Sequence, residues 1–541
     1  MFTKFKVKTG KTKIKHSIFH KPAHSLQKNT NSLNKKENNS KNHVFILIIV
    51  LLFIFLLKLW LSFSLNSLNI DSYYALYQSN QIRKNGIIDF QIHYLDNSAL
   101  PLTEYILTAG SLFADLEIIA KILSALFVTL LSFLVYLIAK ELTQNKSIGL
   151  QVLIFSGFIP ILFSELINNY TKEIFILLCY LIATLYFVKS ISDIKYSRHF
   201  IISLIILILV SPLSMLFILN FIIYFLMLST EKIKIRMSEL ETFVFSLILG
   251  GWIYIILYKD ALVARGILKF LHPLIENTAA IGSIVSIAAL IGIIPFLLGV
   301  IGMYYVLEQK SSRANMFIIS IILSIVLSMF VGIVTLSFGI ILLGIYIVIM
   351  STVTLNKLFN SYSLSKIKKT YKFLIVIGII LFLITSVVPS ITGSLASVKK
   401  SLSNQDKLAL QWLGKTTNGE PLIMSKNEEA YAISFFTEKH SILSSPRFSN
   451  DVDKGLIELN DFFEISLNVE AIRVLSIYDI DYVFISQNLA DSLTEENMLK
   501  FQDPCFERVY GKNDIQIFKR LCSLKNEEKY NKELFEDNDD N

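Results

Sequence analysis

Val44-Phe-Ile-Leu-Ile-Ile-Val-Leu-Leu-Phe-Ile-Phe-Leu-Leu-Lys58-Leu-Trp-Leu-Ser-Phe-Ser-Leu65 runs straight into Asn66-Ser-Leu-Asn69-Ile-Asp71-Ser-Tyr73-Tyr74. The first stretch is 22 residues long with Lys58 as its one charge. At about 1.5 Å per residue it crosses a hydrocarbon layer of about 30 Å. It is too long, and starts too far along the chain, for a cleaved signal, and no small-residue cleavage site follows it. It therefore reads as a retained first membrane helix. The 43 residues before it hold eleven lysines and a single acid, Glu37. Beside a hydrophobic span, such a basic tail marks the cytoplasmic side more readily than a nucleic-acid contact.

The rest of the chain agrees with a membrane reading. Of 541 residues, 53% are apolar and only 17% charged, and mean hydropathy is +0.55. Soluble domains carry roughly 25% charged residues, so a soluble enzyme, a disordered chain and an ordinary nucleic-acid binder are excluded. Apolar runs recur near 117–139, 147–164, 173–190, 200–228, 242–258, 281–306, 315–350 and 373–393. Basic residues cluster in 189–199, 229–239 and 351–372. If all three segments lie inside, 200–228 and 315–350 must each go out and return, turning near Ser211-Pro212 and between Gly332 and Gly339. Proline removes a backbone donor and disfavours helix before it. About eleven spans are expected, with the N-terminus inside and the C-terminus outside.

Charge divides the chain as well. Residues 394–541 hold 17 Lys/Arg against 26 Asp/Glu, net −9, so with a chain total of +8 the preceding residues carry +17. The expected organisation is a basic cytoplasmic tail (1–43), a membrane domain (44–393) with a first outer loop (66–116), an extracytoplasmic α/β domain (394–525) and an acidic disordered tail (526–541). In the α/β domain, Asp406 to Gly414, Glu428 to Phe436 and Asn468 to Tyr478 read as helices. Pro421 to Met424 and Asp481 to Ser486 read as strands, and Phe506 to Tyr510 with Ile515 to Phe518 as a hairpin. Three cysteines are too few for a disulfide framework, but Cys505 and Cys522 bracket the hairpin on the side where a bridge can form.

The chemistry crowds into the outer segments. Asp71 stands within about two turns of the end of the first span, where a carboxylate serves as a base or a cation ligand. It also suits the N-cap of a helix over Ser72 to Lys84, which Asn85-Gly86 would close. The next outer connection, Ser164-Glu165-Leu-Ile-Asn168-Asn169-Tyr170-Thr171-Lys172-Glu173, supplies Glu165 and Glu173 as further acids, with Lys172 a candidate for a phosphate. On one unbroken helix the two acids would lie about 80° apart; a turn at Asn168-Asn169 would draw them closer to each other or to Asp71. The third segment carries Lys259, Arg265, Lys269 and His272. Arg265 and Lys269 are spaced to share a helix face and suit a phosphate. Interfacial cations meeting lipid headgroups account for the same residues.

An acid just after the first membrane helix, two aromatics, a dozen helix-permissive residues and Asn-Gly resemble the first outer loop of GT-C membrane glycosyltransferases. The likeness is to oligosaccharyltransferase catalytic subunits and polyprenyl-phosphate-sugar transferases. Ala409-Leu-Gln-Trp412-Leu413 followed by Thr416-Thr417 is similar to the start of the oligosaccharyltransferase outer domain. The Trp-Trp-Asp-Tyr-Gly sequon-reading signature is replaced by Ser425-Lys-Asn-Glu428-Glu429-Ala-Tyr431.

The resemblance implies a sugar or glycan moved from a polyprenyl-(di)phosphate donor, dolichol or another polyprenol, to an extracytoplasmic protein, lipid or glycan in the cell envelope. Oligosaccharyltransferase-type N-glycosylation is the narrower alternative; a lipid or polysaccharide transporter and a non-catalytic scaffold are alternatives of other classes. The expected site comprises Asp71, Glu165 and Glu173 as catalytic acids. Lys172, Arg265, Lys269, His272, Tyr73 and Tyr74 would bind substrate. Asp71 and Glu165 are the ligands for a divalent cation, Mg or Mn, if one is used. The expected partners are the lipid-linked donor, membrane lipid and the acceptor, with no nucleic acid.

Overall fold

The computed structural model describes residues 24–64, 67–86, 101–271, 284–308, 312–364, 368–396, 401–439, 441, 461–512 and 514–522, without the side chains at 24–41, 260–271, 362–372, 374 and 396. Residues 1–50 and 51–541 are separate compact units. The first contains the beginning of helix α1 (His24–Ser64); the second contains everything considered below.

After α1 come α2 (Ser72–Asn85) and α3 (Leu102–Gly110), both short of membrane-spanning length. The bundle continues through α4 (Leu116–Thr143), α5 (Lys146–Gly157), α6 (Pro160–Leu166), α7 (Lys172–Ser192), α8 (Ser197–Val210), α9 (Met215–Thr230) and α10 (Met237–Leu271). It is completed by α11 (Ile284–Ile291), α12 (Ile293–Glu308), α13 (Arg313–Val331), α14 (Leu336–Leu364), α15 (Lys368–Phe382) and α16 (Val388–Ala396).

Among the described residues, eight helices are long and apolar enough to cross a membrane, or ten when two bent pairs count as spans. The sequence had suggested eleven, and the difference has local causes. Helix α8 has 14 residues, about 21 Å of rise, short of the hydrocarbon thickness. Ser211 then leaves the helical region and Pro212 opens a 3-10 turn into α9, so the expected break is present but its first arm is not a full crossing. Helices α5 and α6 meet at a 50° bend ahead of Pro160. The run 281–306, expected to be one span, contains α11 and α12 bent by 108°. Large apolar side chains such as Trp60, Ile248, Trp252 and Phe330 face outward; this is a multi-pass membrane protein whose outer surface is fitted to lipid.

The C-terminal region comprises α17 (Asn404–Thr416), β1 (Ile423–Met424), α18 (Ala430–Thr437), α19 (Asn468–Ile477), β2 (Tyr482–Ile485), α20 (Gln487–Ala490), α21 (Glu495–Leu499), β3 (Phe506–Lys512) and β4 (Ile515–Arg520). Its sheet runs β1-β2-β4-β3. The β1–β2 pair is parallel and the others antiparallel, with Val483 opposite Phe518. A Cys505–Cys522 disulfide, Cα atoms 4.9 Å apart, ties the ends of the β3–β4 hairpin, and Cys179 is a buried free thiol in α7. Leu410, Leu413, Ile433 and Phe484 belong to the same continuous core as Leu76, Val128 and Leu177 of the helical part. The acidic tail, 526–541, lies outside the described residues.

The closest helix packing depends on two glycines. A Cβ on Gly299 or Gly302 of α12 would collide with the carbonyl oxygens of Ile347 and Met350 on α14, the small-residue contact that lets backbones approach in a membrane. Gly378 of α15 has nothing near its would-be Cβ. Gly302→Ala should therefore lower the thermal midpoint of the detergent-solubilised protein by several degrees, the overpacking penalty being about 1–3 kcal/mol. Gly378→Ala should leave it unchanged or raise it slightly. Equal midpoints for the two variants would contradict this packing.

Candidate functional site

Asp71 occupies the N-cap position of α2 with its backbone already helical (φ −59°, ψ −26°), and its carboxylate makes no capping bond. The helix proceeds without that cap and ends at Gly86, whose φ of 77° lets its N–H reach the Ile82 carbonyl at 2.8 Å. Asp71 is thus an exposed carboxylate placed by the residues around it.

Those residues are stitched to the α6–α7 connection. The Asn69 N–H donates to the Asn168 carbonyl at 2.9 Å. The Ser72 hydroxyl accepts from the Tyr170 N–H at 2.8 Å and donates to Asn169 Oδ1 at 3.2 Å. Asn168 Nδ2 donates to the Ser67 carbonyl at 2.7 Å, and the Ser62 hydroxyl at the end of α1 donates to Asn168 Oδ1 at 2.6 Å. Asn168 has φ +62°, a left-handed conformation that asparagine tolerates better than most residues. Ser62, Ser67, Ser72 and Asn168 are all buried, where such bonds are costly to leave unmade.

The stitched connection lies between Glu165, on α6, and Glu173, in the first turn of α7. The turn at Asn168 breaks what would otherwise be one helix, so both acids belong to a loop fastened on either side of Asp71. Glu165, Lys172 and Glu173 are half-buried. Tyr170 extends the seam, its hydroxyl donating to the Thr103 carbonyl at 2.8 Å, and Asn69 bridges to Ser401, just beyond the last span.

A second joint holds α2 from the other side. The Tyr73 hydroxyl donates to Glu117 Oε1 at 2.8 Å, and Lys407 of α17 pairs with the same carboxylate at 2.9 and 3.1 Å. Tyr73 is fully buried; burial, reinforced by Glu117, pushes its hydroxyl well above the ordinary phenol range. Its ring packs on Phe435 and Phe436 with centroids 5.7 and 5.2 Å apart, and Tyr74 meets Tyr431 edge-on at 4.8 Å. Sequence reading had grouped Tyr73 with Tyr74 as substrate contacts; Tyr73 is committed to the joint, whereas Tyr74 is half-buried beside Tyr431.

Arg265 and Lys269 fall in α10, but their side chains lie outside the described residues, as does the whole of His272. Several residues that build the site were not singled out from sequence. These are Asn168, Ser72, Glu117, Lys407 and Lys121, which is buried one turn beyond Glu117 with its ammonium 5.7 Å from the Phe63 ring. Only Asn168-Asn169 carried a local signal, as a turn. Lys58 is also notable: fully buried, 5.1 Å from the Phe163 ring, with no hydrogen-bond partner for its amine. It sits one turn before Ser62 on the same helix, beneath the seam.

Among the described residues, no three His, Cys, Asp or Glu side chains group together.

Glu429, immediately before α18, is a buried carboxylate accepting from the Ser425 and Ser486 hydroxyls. Burial raises its pKa to about 7 from 4.5, against the opposing effect of those two hydrogen bonds. It directly precedes the helix whose aromatics pack on α2.

No family model and no curated protein matches the sequence. Solved structures match in fold. The apo oligosaccharyltransferase of Archaeoglobus fulgidus superposes with a TM-score of 0.58 at 11% identity, over 88% of this chain and 75% of that one. ArnT from Cupriavidus metallidurans bound to undecaprenyl phosphate gives 0.56 at 10%, over 88% and 98%. Archaeoglobus fulgidus AglB in complex with an inhibitory peptide and a dolichol-phosphate gives 0.51 at 12%, over 88% and 75%. The architecture is therefore a GT-C-like fold.

Two outcomes follow from this geometry. Asn168→Ala removes two buried side-chain bonds and disfavours φ +62°, a loss of about 2–4 kcal/mol. Its thermal midpoint should fall below that of Asn168→Gly, which loses the same bonds but adopts the left-handed conformation freely; the reverse order would exclude the conformational share. For Glu429, the folded carboxyl titrates near 7 and the unfolded one near 4.5. The stabilisation from holding it protonated is complete below about pH 4.5 and is lost as pH rises through about 7, a swing of roughly 3 kcal/mol. Glu429→Gln should flatten that part of the midpoint-versus-pH curve between pH 5 and 8. An unchanged slope would remove Glu429 as its source.

Proposed function

We propose that this chain is a membrane glycosyltransferase moving a sugar or glycan from a polyprenyl-phosphate or polyprenyl-diphosphate donor to an extracytoplasmic acceptor. The observation that carries the proposal is the seam: the loop bearing Glu165 and Glu173 is hydrogen-bonded to the residues on both sides of Asp71. The fold supports it. A GT-C-like neighbour is solved with dolichol-phosphate and another with undecaprenyl phosphate.

In this reading the acceptor hydroxyl or amide attacks the anomeric carbon while the bond from that carbon to the phosphate oxygen breaks. Asp71 accepts the acceptor's proton, Glu165 and Glu173 tune the charge around it, and the leaving phosphate takes up the displaced electron pair. Lys172, with Arg265, Lys269 and His272 from the third outer segment, offsets the charge on that phosphate. Asp71 and Glu165 would hold a divalent cation, Mg²⁺ or Mn²⁺, whose chemistry is neutralisation of the phosphate. Tyr73 keeps α2 in place through Glu117, and Tyr74 lies beside the acceptor path. The basic tail lies inside the cell, and the α/β region lies outside and covers the site.

The acceptor is better read as something other than a sequon peptide. Where the oligosaccharyltransferase resemblance would put its tryptophan signature, this chain has Glu429 turned inward onto two serines and Tyr431 packed on Tyr74.

Asp71→Asn, assayed for transfer of labelled sugar from polyprenyl-linked donor in membranes, should lose about 10²–10⁴-fold in rate while the protein stays folded. Wild-type rates in a folded Asn variant would take Asp71 out of the mechanism.

A further inference from the structure

The structure assigns a second binding site, for a phosphate-bearing anion, at the end of the helix bundle remote from Asp71, and we propose that a phosphate ester occupies it. Glu117, in the joint beside α2, and Glu141, in this second site, lie on the same helix α4, 24 residues apart. That is about 36 Å of rise, so the two places are at opposite ends of the bundle. The proposal is independent of the glycosyl-transfer reading.

A cavity of about 460 Å³ opens here, where the last turns of α4 and α7 meet the segment before α10 and the first turn of α13. Arg236, Arg313, Ser312 and Glu141 provide its polar wall, and Leu142 and Val188 part of its apolar one. The Arg313 guanidinium is held by a part-buried ion pair, and the exposed Arg236 by one hydrogen bond. Arg236 donates to the Ile191 carbonyl at 2.7 Å. Arg313 donates to Glu239 Oε1 at 2.9 Å and to the Lys234 carbonyl at 2.7 Å, in an ion pair whose side chains are 19% and 5% exposed.

These bonds use one N–H of Arg236 and two of Arg313, out of five on each guanidinium. Planar guanidinium groups held in place suit phosphate oxygens better than lysine ammoniums do, because little side-chain freedom is lost on binding. Helix α13, 19 residues long, starts in this wall and adds the positive end of its dipole.

Glu141 limits which phosphate fits. A bare anion against it would be repelled, so the favoured ligand carries a hydroxyl or ammonium donor for that carboxylate. The apolar wall, at the level where the spans end, suits the glycerol and first methylenes of a lipid. A phosphate-bearing headgroup meets all three demands, and a soluble phosphate ester meets the first two.

The test is the melting midpoint of the full-length protein in nanodiscs of phosphatidylcholine, with and without phosphatidylglycerol, and separately with millimolar inorganic phosphate. Phosphatidylglycerol should raise the midpoint of the wild type. Arg236→Gln, which leaves the buried Arg313–Glu239 pair intact, should weaken the midpoint response about tenfold in ligand concentration. Ala314→Trp, which fills the cavity without removing a charge, should do the same. Lys195→Gln, an equal charge loss at an exposed lysine beyond the end of α7, should respond as the wild type does.

A rise with lipid alone assigns the site to a headgroup. A rise with inorganic phosphate as well, lost in the same two variants, assigns it to the phosphate group itself. No rise with either ligand, an undiminished rise in both Arg236→Gln and Ala314→Trp, or an equal loss in Lys195→Gln would overturn the proposal. The last of these would show diffuse attraction and no site.

Discussion

The seam between Asn69–Ser72 and Asn168–Tyr170 is the constraint on which the proposed site depends. It brings together two connections about 100 residues apart, and it does so with backbone groups as much as side chains. A helical hairpin in lipid gains little from hydrophobic burial between helices, since lipid tails are as apolar as leucine. Buried hydrogen bonds at the ends of the helices therefore specify which ends meet. Asn168 is suited to this task because it supplies a left-handed turn, a donor and an acceptor from one residue. Asp71 stands at the helix N-terminus without a side-chain capping bond, between two residues that the seam fixes.

The joint on the other face of α2 explains how a polar C-terminal region can belong to the same core as a membrane bundle. Glu117 receives both the Tyr73 hydroxyl and the Lys407 ammonium, so a span, α2 and α17 share one carboxylate. A half-buried ion pair of this kind is weak as a source of net stability but strong in orientation, because removing one partner strands the other. The aromatic contacts from Phe435, Phe436 and Tyr431 supply the apolar area around it. Glu429, whose carboxyl burial pushes up toward neutrality, lies immediately before α18 and accepts from two serine hydroxyls. The two faces of α2 are thus held by different physics, hydrogen bonds on one and aromatic packing around a shared charge on the other.

Charged groups inside the bundle divide in the same way. Arg313 and Glu239 pair at the remote end, next to a cavity. Lys58 has no such partner and lies under Phe163 beneath the seam. An ionisable side chain inside a span is expensive and is ordinarily tied to function. Its place one turn below Ser62 puts that cost beside the proposed site and not at random in the bundle.

Much of this was legible in the sequence by itself. Hydrophobic run length fixed the membrane class. The basic loops and Ser211-Pro212 marked where chain direction changes, and alternating patterns placed the helices and strands of the C-terminal region, from α17 to the β3–β4 hairpin. Each is a local property, set by a residue and its neighbours along the chain. Between the about eleven spans expected and the eight to ten candidates among the described residues stands mainly one arm, α8, whose length depends on what the backbone packs against. The same reason hid the site's supports. Glu117 and Lys407 are 290 residues apart, and no pattern along the chain relates them. Tyr73 and Tyr74, adjacent and chemically alike, point to different partners because successive residues on a helix are turned about 100° from each other. The sequence determined which carboxylates are available near the ends of the helices. Only the tertiary structure decided which of them share a neighbourhood, because that depends on hydrogen bonds between segments that meet only once the helices have packed.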